Sequence, residues 1–251
     1  KAYKEWGEDC LNRLHGMFAF AIYDGKQIFL ARDIAGEKPL YYIVADGEPL
    51  RFASESKALG TCDEFPPASC GTYDCSTGLL AIRTWWKPQK QEFSSFNEAV
   101  DSLDGLLEDS VRLRTRSDVP YALYFSGGID STLLSTYHDF KHKFTYKDGN
   151  YKDEFLRIFP KILYHLDYPI RSFTPFGLWK LAEEASRKVK VVLSGEGADE
   201  LFGGYVRYVP NEFNRLARIK FPSYQSLFPY RDMQTEEFNG NMRELLRMGD
   251  R

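Results

Sequence analysis

Cysteine is scarce in this 251-residue chain. The four present, Cys10, Cys62, Cys70 and Cys75, all fall within the first 75 residues. They are too few and too clustered for a disulfide framework, and the Cys70–Cys75 spacing has no nearby His to suit zinc. They read as reduced thiols of a cytoplasmic protein. No run approaches the ~18–20 apolar residues of a membrane span. The opening Lys1-Ala2-Tyr3-Lys4-Glu5-Trp6 lacks both an apolar signal core and a small-residue cleavage site. The chain does not open on Met, so a cut upstream is expected. There is also no excess of one charge. The net charge is −3, which offers no global field for nucleic acid or an anionic membrane. Any anionic ligand must therefore be held by backbone amides, helix ends and metal ions. Low-complexity tracts and internal repeats are absent too. The 43% hydrophobic and 27% charged fractions are those of a folded globular protein.

Two regions of different character remain. Residues 1–86 read as β-rich. The apolar run Met17–Tyr23 ends at Asp24-Gly25 and returns through Gln27–Arg32, a hairpin pattern. Pro39–Val44 and Leu50–Ala53 flank Asp46-Gly47 in the same way. A continuous apolar strand implies burial on both faces, so Met17–Tyr23 predicts a sheet covered on each side. Trp85-Trp86-Lys87-Pro88 opens a polar stretch to Ser95, and residues 87–95 read as a linker. Phe96–Arg114 follows with helical spacing. Val100, Leu103, Leu106, Leu107 and Val111 share one face there. Then Tyr121–Phe125, a glycine turn, the helix-like Ser131–Tyr137, a helix over Phe173–Ser186 and the strand Lys188–Leu193 alternate as in a parallel α/β sheet. In such sheets ligands sit at the carboxyl ends of the strands, and both glycine turns lie there.

The first turn is Ser126-Gly127-Gly128-Ile129-Asp130-Ser131. Tandem glycines allow a sharp turn and a close backbone approach to a ligand. The unpaired amides at the start of the following helix suit a phosphate or pyrophosphate. Ser126 and Ser131 add hydroxyls. Asp130 would repel phosphate directly, so its sensible role is to hold a divalent cation. A plain strand-to-helix turn with an N-cap is the bland alternative. The second turn, Ser194-Gly195-Glu196-Gly197-Ala198-Asp199-Glu200, crowds three carboxylates into five residues. Like charges this close repel unless a cation intervenes. Asp199 is thus a second candidate magnesium ligand, and Glu196 a candidate general base. A solvated acidic loop capping a helix is the competing reading. No Lys follows the glycines, unlike the Gly-x-x-x-x-Gly-Lys-Ser/Thr loop. That favours cleavage between the α and β phosphates, giving an adenylate and pyrophosphate; ADP as product would refute it.

These residues resemble the glutamine-hydrolysing asparagine synthetases. Ser117-Asp118-Val119-Pro120 with the Ser-Gly-Gly-Ile-Asp-Ser loop is similar to their pyrophosphate loop, and Val191–Tyr205 to their second signature. Gly16–Ala21, Leu30–Asp33 and Gly36–Tyr42 resemble the end of their glutaminase domain, and Leu246–Arg251 a segment before their C-terminal helices. The resemblance implies an α+β sandwich fragment of the N-terminal-nucleophile type, a class II amidotransferase piece, over residues 1–86. It implies a PP-loop α/β domain, adenine-nucleotide-hydrolase-like, over residues 96–251. It further implies conversion of aspartate to asparagine through a β-aspartyl-adenylate, with ATP and Mg2+ and with glutamine or ammonia as nitrogen source. By matching position, Phe125, Ser126, Gly127, Gly128, Asp130, Ser131, Ser194 and Gly195 would contact ATP or pyrophosphate. Glu196 would assist the ammonia step, and Asp130 and Asp199 would hold magnesium. Neither nucleic acid nor membrane is implied as partner, and a homodimer is left open.

Three departures from that pattern stand out. The family's N-terminal nucleophilic Cys, its Arg-containing strand and its Asn-Gly-Glu segment have no counterpart. Cys10 is not that nucleophile, and the chain as given is not expected to hydrolyse glutamine. The family's C-terminal Lys, thought to contact phosphates, lies past the equivalent of Arg251. Ser135–Lys147 looks too short for the family's adenine-holding strand, because only Tyr137–Phe140 joins the helix to Phe144-Thr145-Tyr146; a parallel crossover needs roughly a dozen residues. Missing segments are expected at that junction. Two other functions compete: a β-lactam-forming synthetase that shares both loops, and a non-catalytic scaffold on a degraded synthetase. His15, His138, His142 and His165 are scattered, and Lys141-His142-Lys143 is a brief surface patch. The stripe Phe213, Phe221, Tyr224, Phe228 and Tyr230 reads as core or interface.

Overall fold

The computed structural model describes residues 1–147, 151–167 and 174–204. In chain order the elements are α1 (Ala2–Trp6), a 3-10 helix (Gly7–Arg13), β1 (Ala19–Tyr23), β2 (Gln27–Arg32), β3 (Tyr41–Ile43) and β4 (Arg51–Ala53). A 3-10 turn (Ser56–Ala58), β5 (Asp63–Glu64), β6 (Ser69–Asp74), β7 (Leu79–Thr84) and α2 (Phe96–Arg114) follow. The rest are β8 (Tyr121–Tyr124), α3 (Ile129–Tyr137), β9 (Lys143–Phe144), α4 (Lys152–Leu166), α5 (Thr174–Ala185), β10 (Val191–Leu193) and α6 (Ala198–Phe202). No helix among the described residues is long and apolar enough to cross a membrane. The second-signature Tyr205, the stripe Phe213–Tyr230 and the segment Leu246–Arg251 lie outside the described residues. The chain divides into two compact units, residues 1–109 with 146–187 and residues 110–145 with 188–251.

In the first unit both expected hairpins form. Asp24 Oδ1 accepts the amides of Lys26 and Gln27, fixing the turn between β1 and β2. β3 pairs antiparallel with β4. One antiparallel sheet has the order β1-β2-β6-β7, a smaller one β4-β3-β5. Alternation along β2 sends Phe29 and Ala31 to one side, against Cys10, Leu11 and Cys70. Leu30 goes to the other side, against Leu40, Leu50, Phe65 and Tyr73. Each large apolar side chain so buried stabilises by about 1.5–3 kcal/mol. The larger sheet is therefore covered on both faces. The strand buried twice is β2, however, not the Met17–Tyr23 run. β1 is an edge strand, with Met17 55% and Tyr23 65% exposed, because only a central strand has neighbours on each side.

The Arg32-Asp33 pair is buried and explains the glycine at position 36. Arg32 donates from Nε to the Lys38 carbonyl, from Nη1 to Glu64 and the Phe65 carbonyl, and from Nη2 to the Gly36 carbonyl. Asp33 accepts the amides of Phe18, Glu37 and Lys38. Gly36 has φ +67°, and a Cβ there would meet Pro67 at 2.9 Å and the Arg32 guanidinium at 3.1 Å. Trp85 is anchored to this pair: its Nε1 donates to the Arg32 carbonyl and its ring stacks on Phe18. Residues 87–95 are exposed and carry neither helix nor strand. α4 and α5 pack through Ile158, Ile162 and Phe176. Asp167, left-handed at φ +63°, ends α4 and accepts the Lys57 amide at 3.2 Å.

α2 forms at the expected bounds, but its apolar stripe is unevenly covered. Val111 is buried among the second unit's residues, whereas Val100, Leu103 and Leu106 are 45%, 38% and 64% exposed. Periodicity defines a face; only tertiary contacts decide whether it is buried. The second unit contains the parallel sheet β10-β8-β9. The stretch after α3 holds the next strand itself, β9, beside β8. The crossover runs from Phe125 to His142 and includes all of α3, long enough for a parallel return. Val111, Leu123, Phe140 and Leu193 form the core of this unit.

Candidate functional site

β8 and β10 are parallel neighbours, pairing Val191 with Tyr121, Val192 with Ala122 and Leu193 with Leu123. Both therefore stop at the same sheet edge. The next residues are Phe125-Ser126-Gly127-Gly128 after β8 and Ser194-Gly195-Glu196-Gly197 after β10, so the register brings the two glycine turns side by side. Gly127 at φ +78° makes the first turn and Gly197 at φ +94° the second. In each, a side chain would be strained.

The first loop is held by its own serines. Ser131 is buried; its Oγ donates to the Gly128 carbonyl, accepts the Ser126 amide at 3.3 Å and lies 3.1 Å from Ser126 Oγ. Ser126 Oγ accepts the Gly128 amide. α3 starts on Gly128, whose carbonyl accepts the Thr132 amide. The amides of Ile129, Asp130 and Ser131 thus belong to the first helical turn and have no acceptor within the helix. Phe125 is tied to the neighbouring strand: its amide donates to the Phe144 carbonyl and its own carbonyl accepts the Thr145 hydroxyl at 2.7 Å.

The second loop closes in a similar way. The Glu196 amide donates to Ser194 Oγ and the Ala198 amide to the Gly195 carbonyl. Gly195 touches the first loop, since a Cβ built on it would fall 2.8 Å from Asp130 Cβ. Asp130 lies in the first turn of α3, and Asp199 and Glu200 in the first turn of α6. The Asp199 carboxylate lies against Gly204. Glu196 is exposed at the loop's crown.

No group of three or more His, Cys, Asp or Glu among the described residues is arranged to hold a metal ion by itself. Mg2+ does not need one. It is commonly held by one or two carboxylates together with substrate phosphates and water, and Asp130 and Asp199 are carboxylates in the first turns of α3 and α6.

Two neighbours of the site carry no motif in the sequence. Thr145 ties the end of β8. The Lys143 ammonium lies 5.5 Å from the Phe125 ring centroid, a cation beside the residue that leads into the first loop. Burial pushes the Tyr124 phenol above its ordinary value on the same strand. Nothing local announces Lys143 or Thr145, because their place depends on β9 lying beside β8.

Comparison with known proteins gives two matches in sequence order. Residues 1–72 match the glutamine amidotransferase domain. Residues 102–147 and 151–250 match asparagine synthase. Among curated relatives, asparagine synthetase B (glutamine-hydrolysing) of Escherichia coli is 30% identical over 82% of this chain and 46% of its own length. Asparagine synthetase (glutamine-hydrolysing) of Zea mays is 30% identical over 84% and 44%. Asparagine synthetase (glutamine-hydrolysing) 1 of Bacillus subtilis is 28% identical over 82% and 42%. The chain spans about half the length of the curated relatives it matches, 53% and 42% for two of them. The B. subtilis alignment runs over 268 positions while covering only 82% of these 251 residues. The relative therefore has internal residues with no counterpart here, and the asparagine synthase match is itself interrupted between 147 and 151. With an antiparallel sheet unit matching the amidotransferase and the glycine loops of a parallel sheet matching the synthase, the chain belongs to the glutamine-hydrolysing asparagine synthetase family.

Proposed function

We propose that the protein is an ATP-dependent, amide-forming ligase that converts aspartate to asparagine. The observation that carries this reading is the meeting of two glycine turns at one edge of a parallel sheet, with Gly195 packed on Asp130. Residues 1–86 would be the amidotransferase piece, 87–95 the linker and 96–251 the synthetase domain. The amidotransferase match supports glutamine as nitrogen donor, and a cytoplasmic setting suits these substrates.

In this mechanism the turn Ser126-Gly127-Gly128, the first-turn amides of α3 and Ser194-Gly195 cradle the triphosphate, and Phe125 borders it. Ser131 keeps the turn in shape. Asp130 and Asp199 would hold Mg2+, which neutralises phosphate charge when bound. A β-carboxylate oxygen of aspartate attacks the α-phosphorus, and the bond to the β-phosphate oxygen breaks, releasing pyrophosphate. Ammonia then attacks the β-carbonyl carbon of the adenylate. Its surplus proton passes to Glu196, and AMP leaves with the acyl oxygen.

Pyrophosphate exchange into ATP tests the reading. Aspartate-dependent exchange with AMP as product supports it. Exchange dependent on another carboxylate transfers the same chemistry to a different acceptor, such as that of a β-lactam-forming enzyme. No exchange, or ADP as product, overturns it.

A further inference from the structure

Four glycines of the second signature sit in two different roles. Gly197 and Gly203 have φ +94° and +70°, a backbone that disfavours side chains. Gly195 and Gly204 are not among the positive-φ residues, so the turn itself does not require glycine there. What requires it is space. A Cβ on Gly195 would lie 2.8 Å from Asp130 Cβ and 3.5 Å from the Ser131 amide nitrogen. A Cβ on Gly204 would lie 2.0 Å from Asp199 Oδ1, 3.0 Å from its Cγ and 3.2 Å from its Cα. Both distances to the side chains are shorter than real Cβ contacts allow. Each bare α-carbon thus abuts one aspartate, one on α3 and one on α6. The two seats lie on different loops; the Gly204 amide also donates to the Asp199 carbonyl at the end of α6, a bond that any residue's amide could make.

We propose that Gly195 and Gly204 are positioning residues whose missing side chains seat Asp130 and Asp199, setting where the two carboxylates meet the divalent cation of the bound nucleotide. This rests on the phosphate site proposed above. It assigns these glycines an action through the aspartates, separate from any contact with phosphate. A methyl group on Gly204 meets chiefly the Asp199 carboxylate oxygen, which can swing aside, whereas one on Gly195 meets Asp130 Cβ and moves that aspartate together with the first turn of α3.

The test is titration of the full chain with the Mn2+ complex of a non-hydrolysable ATP analogue, read by electron paramagnetic resonance. Gly195→Ala and Gly204→Ala are each expected to weaken binding about tenfold, with the thermal midpoint unchanged in Gly204→Ala and lowered by a few degrees in Gly195→Ala. Gly195→Ala added to Asp130→Asn should weaken it no further than Asp130→Asn alone, because the glycine acts through that carboxylate. Gly204→Ala and Asp199→Asn should behave likewise. Should Gly195→Ala fail to fold, the Gly204 pair decides. Wild-type affinity in the alanine variants, or full additivity in the double variants, overturns the role of the glycines while leaving the phosphate site standing. No binding by the wild-type chain overturns the phosphate site and this proposal with it.

Discussion

Ser131 Oγ lies 3.1 Å from Ser126 Oγ, and Ser131 also accepts the Ser126 amide and donates to the Gly128 carbonyl. One buried hydroxyl therefore ties the first residue of the glycine turn to the start of α3. Ser131→Ala removes that tie. The expected stability loss is about 1 kcal/mol, with a roughly fivefold rise in KM for ATP because the loop loses its preset shape. Urea melts and steady-state kinetics measure both; an unchanged KM would free Ser131 from the loop.

Asp130 is half-buried and abuts Gly195. Asp130→Ala is expected to reduce aspartate-dependent pyrophosphate exchange by at least about a hundredfold, since removing one precisely placed electrostatic group commonly costs that much. The thermal midpoint should stay within a few degrees. Exchange at the wild-type rate would remove Asp130 from the mechanism.

Acid stability should report on Asp167. Its burial alone would raise the carboxyl, but hydrogen bonds from the Ser56 hydroxyl and the Lys57 amide, with the Lys57 charge, outweigh this and hold it below its usual 3.8. A depressed folded-state value means the contribution is fully present above about pH 3.8 and is lost as pH falls through the lower folded value. Asp167→Asn should therefore be less stable than wild type at pH 6, with the gap closing below pH 3.8. Thermal melts from pH 6 to pH 2 show this; a gap that does not change with pH would exclude it.

Arg32 is 4% exposed and supplies donors to three carbonyls, those of Gly36, Lys38 and Phe65. Arg32→Leu leaves them without that partner, and about 3 kcal/mol of stability should be lost. Urea denaturation of the two proteins measures the difference; a loss under about 1 kcal/mol would mean that water replaces the guanidinium.

Much of the local structure was legible because its causes are local. Asp24-Gly25 and Asp46-Gly47 marked real hairpins, and Phe96–Arg114 is helical to the residue. Both glycine loops stand where short apolar strands end. Burial was less legible. Met17–Tyr23 is as apolar as a central strand but lies at an edge, and the stripe of α2 is covered only near Val111. The short joint after α3 carries β9 beside β8, while the relatives hold internal residues that have no counterpart here.

By itself the sequence determined the turn chemistry, the strand–glycine–helix order and the candidate carboxylates, since backbone preference and side-chain type act over a few residues. Only the tertiary structure decided that Gly195 touches Asp130 and that Lys143 and Thr145 flank Phe125. Those relations depend on which strands pair and in what register, a choice made by contacts between distant residues, such as Tyr121 and Val191, 70 positions apart, and no local pattern encodes it.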